Sequence, residues 1–279
     1  MKDLWPKQAP IQGMAGLWGG IQGSLTAGSS GGGATGPGVY PETNILHLEA
    51  QNWSTGSNTW TQSNNSNSNY TTTATNPGTM SKSGSGDTAM INWPNTGTQY
   101  FNTANITLPV GIQVICAWKE GDPFIIEQSD GSGTANSHPG FYFYGDDSFI
   151  YGCYRQNWST SPTSQRRHIA GGGGSDWFPD SNNIAVGAFY MSANGDATDG
   201  NKSTTTAVYV NNSTVPYNLD GPFNSDSEVT ENMYIGSRNG VSIFFHGGSL
   251  AEIWIAKSEN ITLSQFQTNV AAMVTKQGI

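Results

Sequence analysis

The sequence predicts an all-β fold in which short antiparallel strands pack as a sandwich. Charged residues make up only 11% of the 279 residues, against about 25% in an average soluble domain. Gly, Ser, Thr and Asn are abundant, and nine Trp, eleven Tyr and eleven Phe supply core material. Short apolar alternations separated by polar turn residues recur along the chain, which is the pattern of antiparallel sheets.

Strand patterns begin near Ile45 and continue to the C-terminal region. In GIQVICAWK the alternation puts Ile112, Val114, Cys116 and Trp118 on one face, as in a strand that is buried on one side. The aromatic runs of FYFYGDDSFIYGCY predict a hairpin that turns at 145–148. The remaining strand candidates are ILHLEA, PFIIEQ, NIAVGAFYM, TTTAVYVNN, MYIGSRNG and SLAEIWIAK.

Residues 52–87 are almost entirely Asn, Ser, Thr and Gly, so we expect long surface loops pinned by aromatic side chains. The pentapeptide QNWST occurs at 51–55 and again at 156–160, which places Trp53 and Trp158 in polar surroundings. Each of these tryptophans either clamps its own loop or is available for stacking on a ligand.

One helix is predicted at the C-terminus. Thr262 and Gln265 have the spacing of a capping box, and Gly278 is placed to end the last turn. The apolar positions Leu263, Phe266, Val270 and Met273 share one face, so we expect this face to pack on the sandwich.

The domain organisation predicted is an arm with a Gly-rich linker at 1–44, followed by a sandwich domain at 45–279. The arm has apolar residues at helical spacing but five interspersed glycines, so it should not fold alone. It also lacks the unbroken apolar core of a secretion signal. We expect it to dock on a larger particle through Trp5, Ile11, Met14, Leu17, Trp18 and Ile21.

Charge and cysteine usage exclude several functions. A net charge of −9 with eleven Lys and Arg disfavours nucleic acid as partner, and no apolar stretch reaches membrane-spanning length. Cys116 and Cys153 are expected to be reduced and to pack as small apolar residues, with a single disulfide between neighbouring strands as the alternative.

No catalytic residue, cofactor or metal ligand is predicted. The acids Glu120, Asp122 and Glu127 are expected at solvated turns and strand edges. Asp196 and Asp199 fit a solvated turn better than a calcium loop. The histidines have no metal-ligand spacing; they are His47, His138, His168 and His246.

Two polar segments combine aromatic, amide and charged side chains in the mixture that binds sugars, with rings for C–H faces and polar groups for hydroxyls. The alternative is that their tryptophans pack beneath their own loops. The predicted glycan-binding residues are Tyr154, Arg155, Asn157, Trp158, Asp176 and Trp177.

The segments AVYVNN, MYIGSRNG and FFHGGSLAEIWIAKS, between Ala207 and Ser258, resemble the last third of concanavalin A-like or laminin G-like jelly rolls. LHLEAQNWSTGSNTWTQSNNSNSNYT is similar to the opening of such domains in phage particle proteins, and LWPKQAPIQGMAGLWGGIQGS to N-terminal segments of tailed, marine-type phage structural proteins. The resemblance implies an antiparallel jelly-roll sandwich with an extended N-terminal arm and a C-terminal helix.

Three functions follow as expectations. The first is a non-enzymatic virion structural protein, a capsid fibre, decoration or tail-associated subunit, assembled in host cytoplasm and docked as a homo-oligomer on other virion proteins. Its outward-facing domain would bind a host glycan. The alternatives are a stand-alone carbohydrate-binding module and a glycan hydrolase of the same superfold, although the Glu-x-Asp-x-Glu signature of its glucanases is missing from the sequence.

Overall fold

The structure is a computed structural model, and it describes the greater part of the region from 44 to the C-terminus. The described residues are 44–63, 70–95, 97–109, 111–119, 124–129, 140–145, 149–155, 165–171, 184–192, 206–214, 218–220, 228–238, 240, 242–243, 245, 247–258 and 262–279. The predicted arm, including its six docking residues, lies outside this part of the chain.

The described strands form two large antiparallel sheets and one small one. Numbered in chain order, the eight-stranded sheet contains β1 (Asn44–Glu49), β4 (Ser81–Ser83), β5 (Met90–Asn92), β7 (Ile112–Lys119), β12 (Ile184–Met191), β13 (Thr206–Val210), β14 (Ser213–Thr214) and β19 (Ser249–Lys257). The nine-stranded sheet contains β2 (Thr59–Trp60), β3 (Thr72–Thr75), β6 (Tyr100–Leu108), β8 (Phe124–Ser129), β9 (Gly140–Gly145), β10 (Phe149–Arg155), β11 (Gln165–Gly171), β15 (Asn218–Asp220) and β16 (Val229–Ile235). The two-stranded sheet pairs β17 (Ser237–Arg238) with β18 (Ser242–Ile243).

The strand order shows how the sheets are built from distant segments. The eight-stranded sheet runs β14-β13-β12-β7-β19-β5-β4, with β1 also paired to β19, and the nine-stranded sheet runs β15-β11-β10-β9-β8-β16-β6-β3-β2. The predicted hairpin is confirmed, because β9 and β10 pair in register from Gly145 opposite Ile150 to Gly140 opposite Arg155. The predicted antiparallel β-sandwich is therefore confirmed.

The core between the two sheets is rich in aromatic side chains. Phe101 lies at the centre of a group of tryptophans, with ring centroids 4.7 Å from Trp60, 5.5 Å from Trp93 and 6.0 Å from Trp53. All four side chains are almost completely buried. The region predicted as long surface loops instead contains the short strands β2, β3 and β4 at edges of the two large sheets. Its aromatic side chains Trp53 and Trp60 do anchor it in the core, as predicted.

Strand β7 is buried on both faces rather than on one. Its predicted face, from Ile112 to Trp118, packs in the core between the sheets. The opposite face is also buried, because Ile115 and Ala117 lie in a second apolar cluster that includes residues of the C-terminal helix. Because a helix covers the outside of the sheet here, the residues of that face are apolar, and the sequence lacks the polar alternation that marks an exposed face.

The helix α1 spans Leu263–Gln277, and its predicted ends are confirmed. The Thr262 hydroxyl accepts from the Gln265 backbone N–H, the Gln265 side chain accepts from the Thr262 N–H, and Gly278 has a left-handed backbone with φ of 74°. Phe266, Val270 and Met273 are buried on the eight-stranded sheet as predicted, while Leu263 is only partly buried. Among the described residues, no helix is long and apolar enough to span a membrane.

Candidate functional site

The described structure locates only part of the predicted glycan-binding set. Tyr154 and Arg155 are the last residues of β10, and Arg155 pairs with Gln165 at the start of β11. The other four predicted residues lie outside the described part of the chain, in the connections 156–164 and 172–183.

The topology places these two connections at different ends of β11. The segment 156–164 joins β10 to β11 where Arg155 pairs with Gln165, whereas 172–183 leaves β11 after Gly171, which pairs with Phe149. Seven strand residues separate the two attachment points, a distance of about 20 Å at 3.3 Å per residue. The described backbone therefore does not by itself bring the two halves of the predicted site together.

Of the two QNWST copies, the one at 51–55 lies within the described residues, and the one at 156–160 lies outside them. Trp53 is fully buried, its indole N–H donates to the Ser57 carbonyl at 3.0 Å, and its ring meets Phe101 edge to face. It therefore clamps its own turn, which confirms one of the two alternatives for this residue. All the tryptophans that the structure describes are buried; they are Trp53, Trp60, Trp93, Trp118 and Trp254.

Glu127 corrects the expectation of solvated strand-edge acids. It lies in β8, which is flanked by β9 and β16, and its register partners are Tyr142 and Tyr234. The side chain is fully buried, because β8 is an interior strand of the sheet and β17 lies against it. Glu120 and Asp122 lie outside the described residues.

The cysteine prediction is met at one of its two positions. Cys116 is a free, buried thiol in β7, and burial, reinforced by the negative charge of Glu252, raises the pKa of that thiol well above its usual value. Cys153 is in β10 of the other sheet. An undissociated buried thiol is chemically inert, as expected for a packing residue.

A cluster of ionisable side chains lies where α1 ends against the eight-stranded sheet. Glu252 of β19 pairs with Glu49 of β1 in the register, and His47 precedes Glu49 by two residues on the same face of β1. His47 Nε2 donates to Glu252 Oε1 at 2.7 Å, and Lys276 Nζ donates to Glu252 Oε2 at 2.6 Å and to Glu49 Oε1 at 2.5 Å. Asp87 Oδ1 lies 3.8 Å from the same ammonium group. We call these five residues the Lys276 cluster.

Burial and charge act in opposite directions on the groups of the Lys276 cluster. Burial alone would raise the pKa of Glu49, but hydrogen bonds from Lys276 and Ser63 and the charges of Lys276 and His47 hold it below its ordinary value. Burial alone would lower the pKa of Lys276, but the charge of Glu252 and hydrogen bonds to both glutamates raise it. Both shifts favour the ionised forms, so the Lys276 ammonium and the Glu49 carboxylate are charged at neutral pH.

The cluster has the donor types of a metal site but is arranged around an ammonium group. Ligand atoms of His47, Glu49 and Glu252 lie within 4.8 Å of one another. The Lys276 Nζ contacts both carboxylates, so a cationic side chain already takes the position that a metal ion would need. The geometry is that of an ion-pair network joining α1 to β1 and β19.

Sequence reasoning missed this network because its partners are far apart in the chain. His47 and Glu252 are separated by 205 residues, and Glu49 and Lys276 by 227. A usable signal existed: Glu252 is the one acid within the apolar strand SLAEIWIAK, and Lys276 is the only charged side chain of the helix.

Where β6 pairs with β16, the exposed and partly exposed side chains of the nine-stranded sheet are mainly amides and hydroxyls, with Glu231 partly exposed among them. Asn105 and Thr230 are exposed, and Asn102 and Asn232 are partly exposed. Asn105 has a left-handed backbone with φ of 48°, and its N–H donates to the Asn232 side-chain oxygen at 3.2 Å. This bond braces an irregularity in the pairing of β16 with β6. Amide and hydroxyl side chains can both donate and accept hydrogen bonds.

No protein-family model matches the chain, and no curated protein matches its sequence. Solved structures do match its fold. The binding domain of botulinum neurotoxin serotype G matches with a TM-score of 0.53 at 10% identity, over 84% of this chain and 51% of that one. The binding domain of Paraclostridial Mosquitocidal Protein 1 matches with a TM-score of 0.51 at 10% identity, over 84% and 52%.

The receptor binding domain of botulinum neurotoxin D matches with a TM-score of 0.50 at 11% identity, over 83% of this chain and 52% of that one. This chain thus spans about half the length of the chains it matches. Identities this low establish similarity of fold alone. The chain has an antiparallel β-sandwich fold that also occurs in these toxin binding domains.

Proposed function

We propose that this chain is a non-enzymatic binding protein whose β-sandwich recognises a carbohydrate with few charged groups. The observation that carries the proposal is the chemistry of the surface where β6 pairs with β16, at which amide and hydroxyl side chains such as Asn102, Asn105 and Thr230 reach solvent. Amides and hydroxyls bind sugar hydroxyls as donors and acceptors. Solved domains of the same fold carry the descriptions "binding domain" and "receptor binding domain", which agrees with a binding role.

The aromatic part of the proposed site comes from Trp158 and Trp177. Both stand in polar segments together with Asn157 and Asp176. Stacking on a sugar ring would use the faces of the two indoles. Because the two segments leave β11 at different ends, we treat Trp158 and Trp177 as separable contributions to binding.

A glycan array tests the ligand class. The full chain, labelled with a lysine-reactive fluorophore, is applied to an array of neutral and acidic oligosaccharides at several salt concentrations. We expect the chain to bind a set of neutral glycans. The binding should change little with salt concentration, because few charges are involved. Binding confined to polyanionic glycans, or to none, would contradict the proposal. Release of new reducing ends from a bound polysaccharide would instead support a hydrolase.

We further propose that the sandwich is displayed on a virion through the N-terminal arm. The support is sequence-based: seven large apolar residues lie among glycines between Trp5 and Leu25, and a linker rich in Ser and Gly follows. Burial of such side chains contributes about 1.5 to 3 kcal/mol each, against about 1 to 2 kcal/mol per ordered residue. The net affinity of one arm is then modest, so several arms in a homo-oligomer would act together.

Deletion of residues 1–38 separates display from glycan binding. The truncated chain should fold and bind the same array glycans as the full chain, but fail to join virions during assembly. A chain with both Trp5 and Trp18 changed to Ala should show a partial loss of incorporation. Incorporation of the truncated chain at the full copy number would contradict the anchoring role without affecting the proposal on glycan binding.

A further inference from the structure

The helix α1 covers an apolar face of the sandwich that water would otherwise reach. The covered residues include Ile115 of β7 and Trp254 of β19, and both are fully buried. Phe266 of the helix packs on Tyr190 and Tyr209, with ring centroids 5.4 and 5.9 Å apart. Movement of the helix would therefore expose a continuous apolar patch on the eight-stranded sheet.

The C-terminal end of this helix is joined to the sheet by charge. Lys276, in the last helical turn, is the only charged side chain of the helix, and its own exposure is 3%. Its partners come from three separate places: Glu49 ends β1, Glu252 lies in β19, and Asp87 is in the short 3-10 helix Gly86–Thr88. One ammonium group thus holds three chain segments and the helix together.

We propose that the Lys276 cluster is an acid-sensitive latch that releases helix α1 from the eight-stranded sheet. In acid, Glu49 takes up a proton and loses its negative charge, so the Lys276 ammonium loses that partner. A buried cation without a counter-charge is strongly unfavourable, so the helix end is driven into water.

The direction of the pH dependence follows from the groups that face Lys276. From the packed elements these are His47 and Glu49 on β1, Asp87 on the 3-10 helix and Glu252 on β19. The pKa of Glu49 is lower in the folded protein than its ordinary value, so the stability it contributes is present at neutral pH. That contribution is lost as the pH falls through the lowered pKa.

Local release differs from acid unfolding of the whole domain, because the apolar core between the sheets is separate from the apolar cluster that contains the helix residues. The ionisable residues on the two strands that α1 packs against are Cys116 and Lys119 on β7 and Tyr190 on β12. Residues of β7 buried between the sheets, such as Val114, should keep their protection when the helix leaves.

Hydrogen exchange of the full chain, corrected for intrinsic rates and followed by mass spectrometry, tests the latch. Between about pH 7 and about pH 3, we expect protection in peptides from 262–279 to fall by about tenfold or more while β7 peptides keep theirs. Glu49→Gln should reduce the size of this change, since one titrating carboxylate is gone. In Lys276→Met the acid-induced loss of helix protection should weaken or reverse. The buried carboxylates then have no cationic partner, so protonation removes an unfavourable charge and not a favourable ion pair.

Glu228→Gln is the matched control. Glu228 forms an exposed ion pair with Lys257 at 3.4 Å, so its removal should leave the acid response of the helix unchanged. The proposal is overturned if helix and β7 peptides lose protection together, if the helix keeps its protection in acid, or if Glu49→Gln and Glu228→Gln behave alike. The proposal is also overturned if the helix of Lys276→Met loses protection in acid to the same extent as the helix of the unmodified chain.

Discussion

Replacing the same tryptophan in two copies of one pentapeptide should have very different effects on stability. Trp53 of the first QNWST is fully buried, contacts Phe101 and donates to the Ser57 carbonyl. Trp53→Ala therefore removes a large core side chain, and we expect the free energy of unfolding to fall by about 3 to 5 kcal/mol. For a domain of this size that corresponds to a Tm lower by about 6 to 20 °C.

Trp158→Ala is the matched control, since the two tryptophans have identical neighbours in sequence. If Trp158 is a ligand-stacking residue, its replacement should change the free energy of unfolding by less than about 0.5 kcal/mol. Urea denaturation followed by far-ultraviolet circular dichroism measures both variants. Equal destabilisation by the two changes, or a Trp53→Ala variant as stable as the unmodified chain, would refute the assignment of one copy to the core and the other to a surface.

Three other variants test the structure at single positions. Glu252→Ala removes a partner of the buried Lys276 ammonium, so the free energy of unfolding should fall by about 3 to 5 kcal/mol. Glu228→Ala breaks only an exposed ion pair and should lower it by less than about 1 kcal/mol. Equal melting temperatures for the two variants would contradict this expectation. Gly84→Ala should destabilise by more than about 1 kcal/mol, because φ is +69° and the new Cβ would lie 2.2 Å from a backbone carbonyl. Gly78→Ala, which meets no atom within 4 Å, should be nearly neutral in the same thermal melts. Thr262→Ala removes the helix cap and should cost about 1 kcal/mol; an unchanged melting curve would count against the cap.

The strands and the helix were predictable because their signals are local. Alternation in GIQVICAWK selected the residues of β7 that face the other sheet, from Ile112 to Trp118. The helix boundaries followed from Thr262 and Gly278, whose roles depend only on residues within one turn. The prediction that the other face of β7 is exposed was wrong, because the helix that buries Ile115 is more than 140 residues away in the chain.

The short strands between Trp53 and Asp87 were not predictable from composition. Their side chains are mostly Thr and Ser, and the apolar surface that this region brings to the core comes from scattered residues; they are Trp53, Trp60, Tyr70, Ala74 and Met80. Hydrogen bonds between strands stabilise them instead, as where Thr72 and Thr103 pair their hydroxyls at 2.8 Å. Such pairing depends on β6, a strand whose place in the sheet is set by the whole fold.

The pairing of residues in the Lys276 cluster was not predictable from the sequence for a similar reason, although Glu252 and Lys276 each stand out in their own segment. A histidine or a lysine is recognised as part of a site when its partners lie within a few residues, and here they come from opposite ends of the domain. Glu127 was misassigned because its position next to turn residues suggests an edge, whereas β8 has neighbours on both sides. Both cases depend on strand order, which single-sequence periodicity does not encode.

The central claim is that the sandwich binds a carbohydrate through tryptophans in its polar connections. Titration calorimetry with the best neutral oligosaccharide from the array tests it on the full chain, Trp158→Ala and Trp177→Ala. We expect at least one variant to lose affinity by about tenfold or more, as removal of a stacked ring would cause, while its Tm stays within about 2 °C of the unmodified chain. Unchanged affinity in both variants, or a loss that accompanies a fall in Tm of the size expected for Trp53→Ala, would contradict the account.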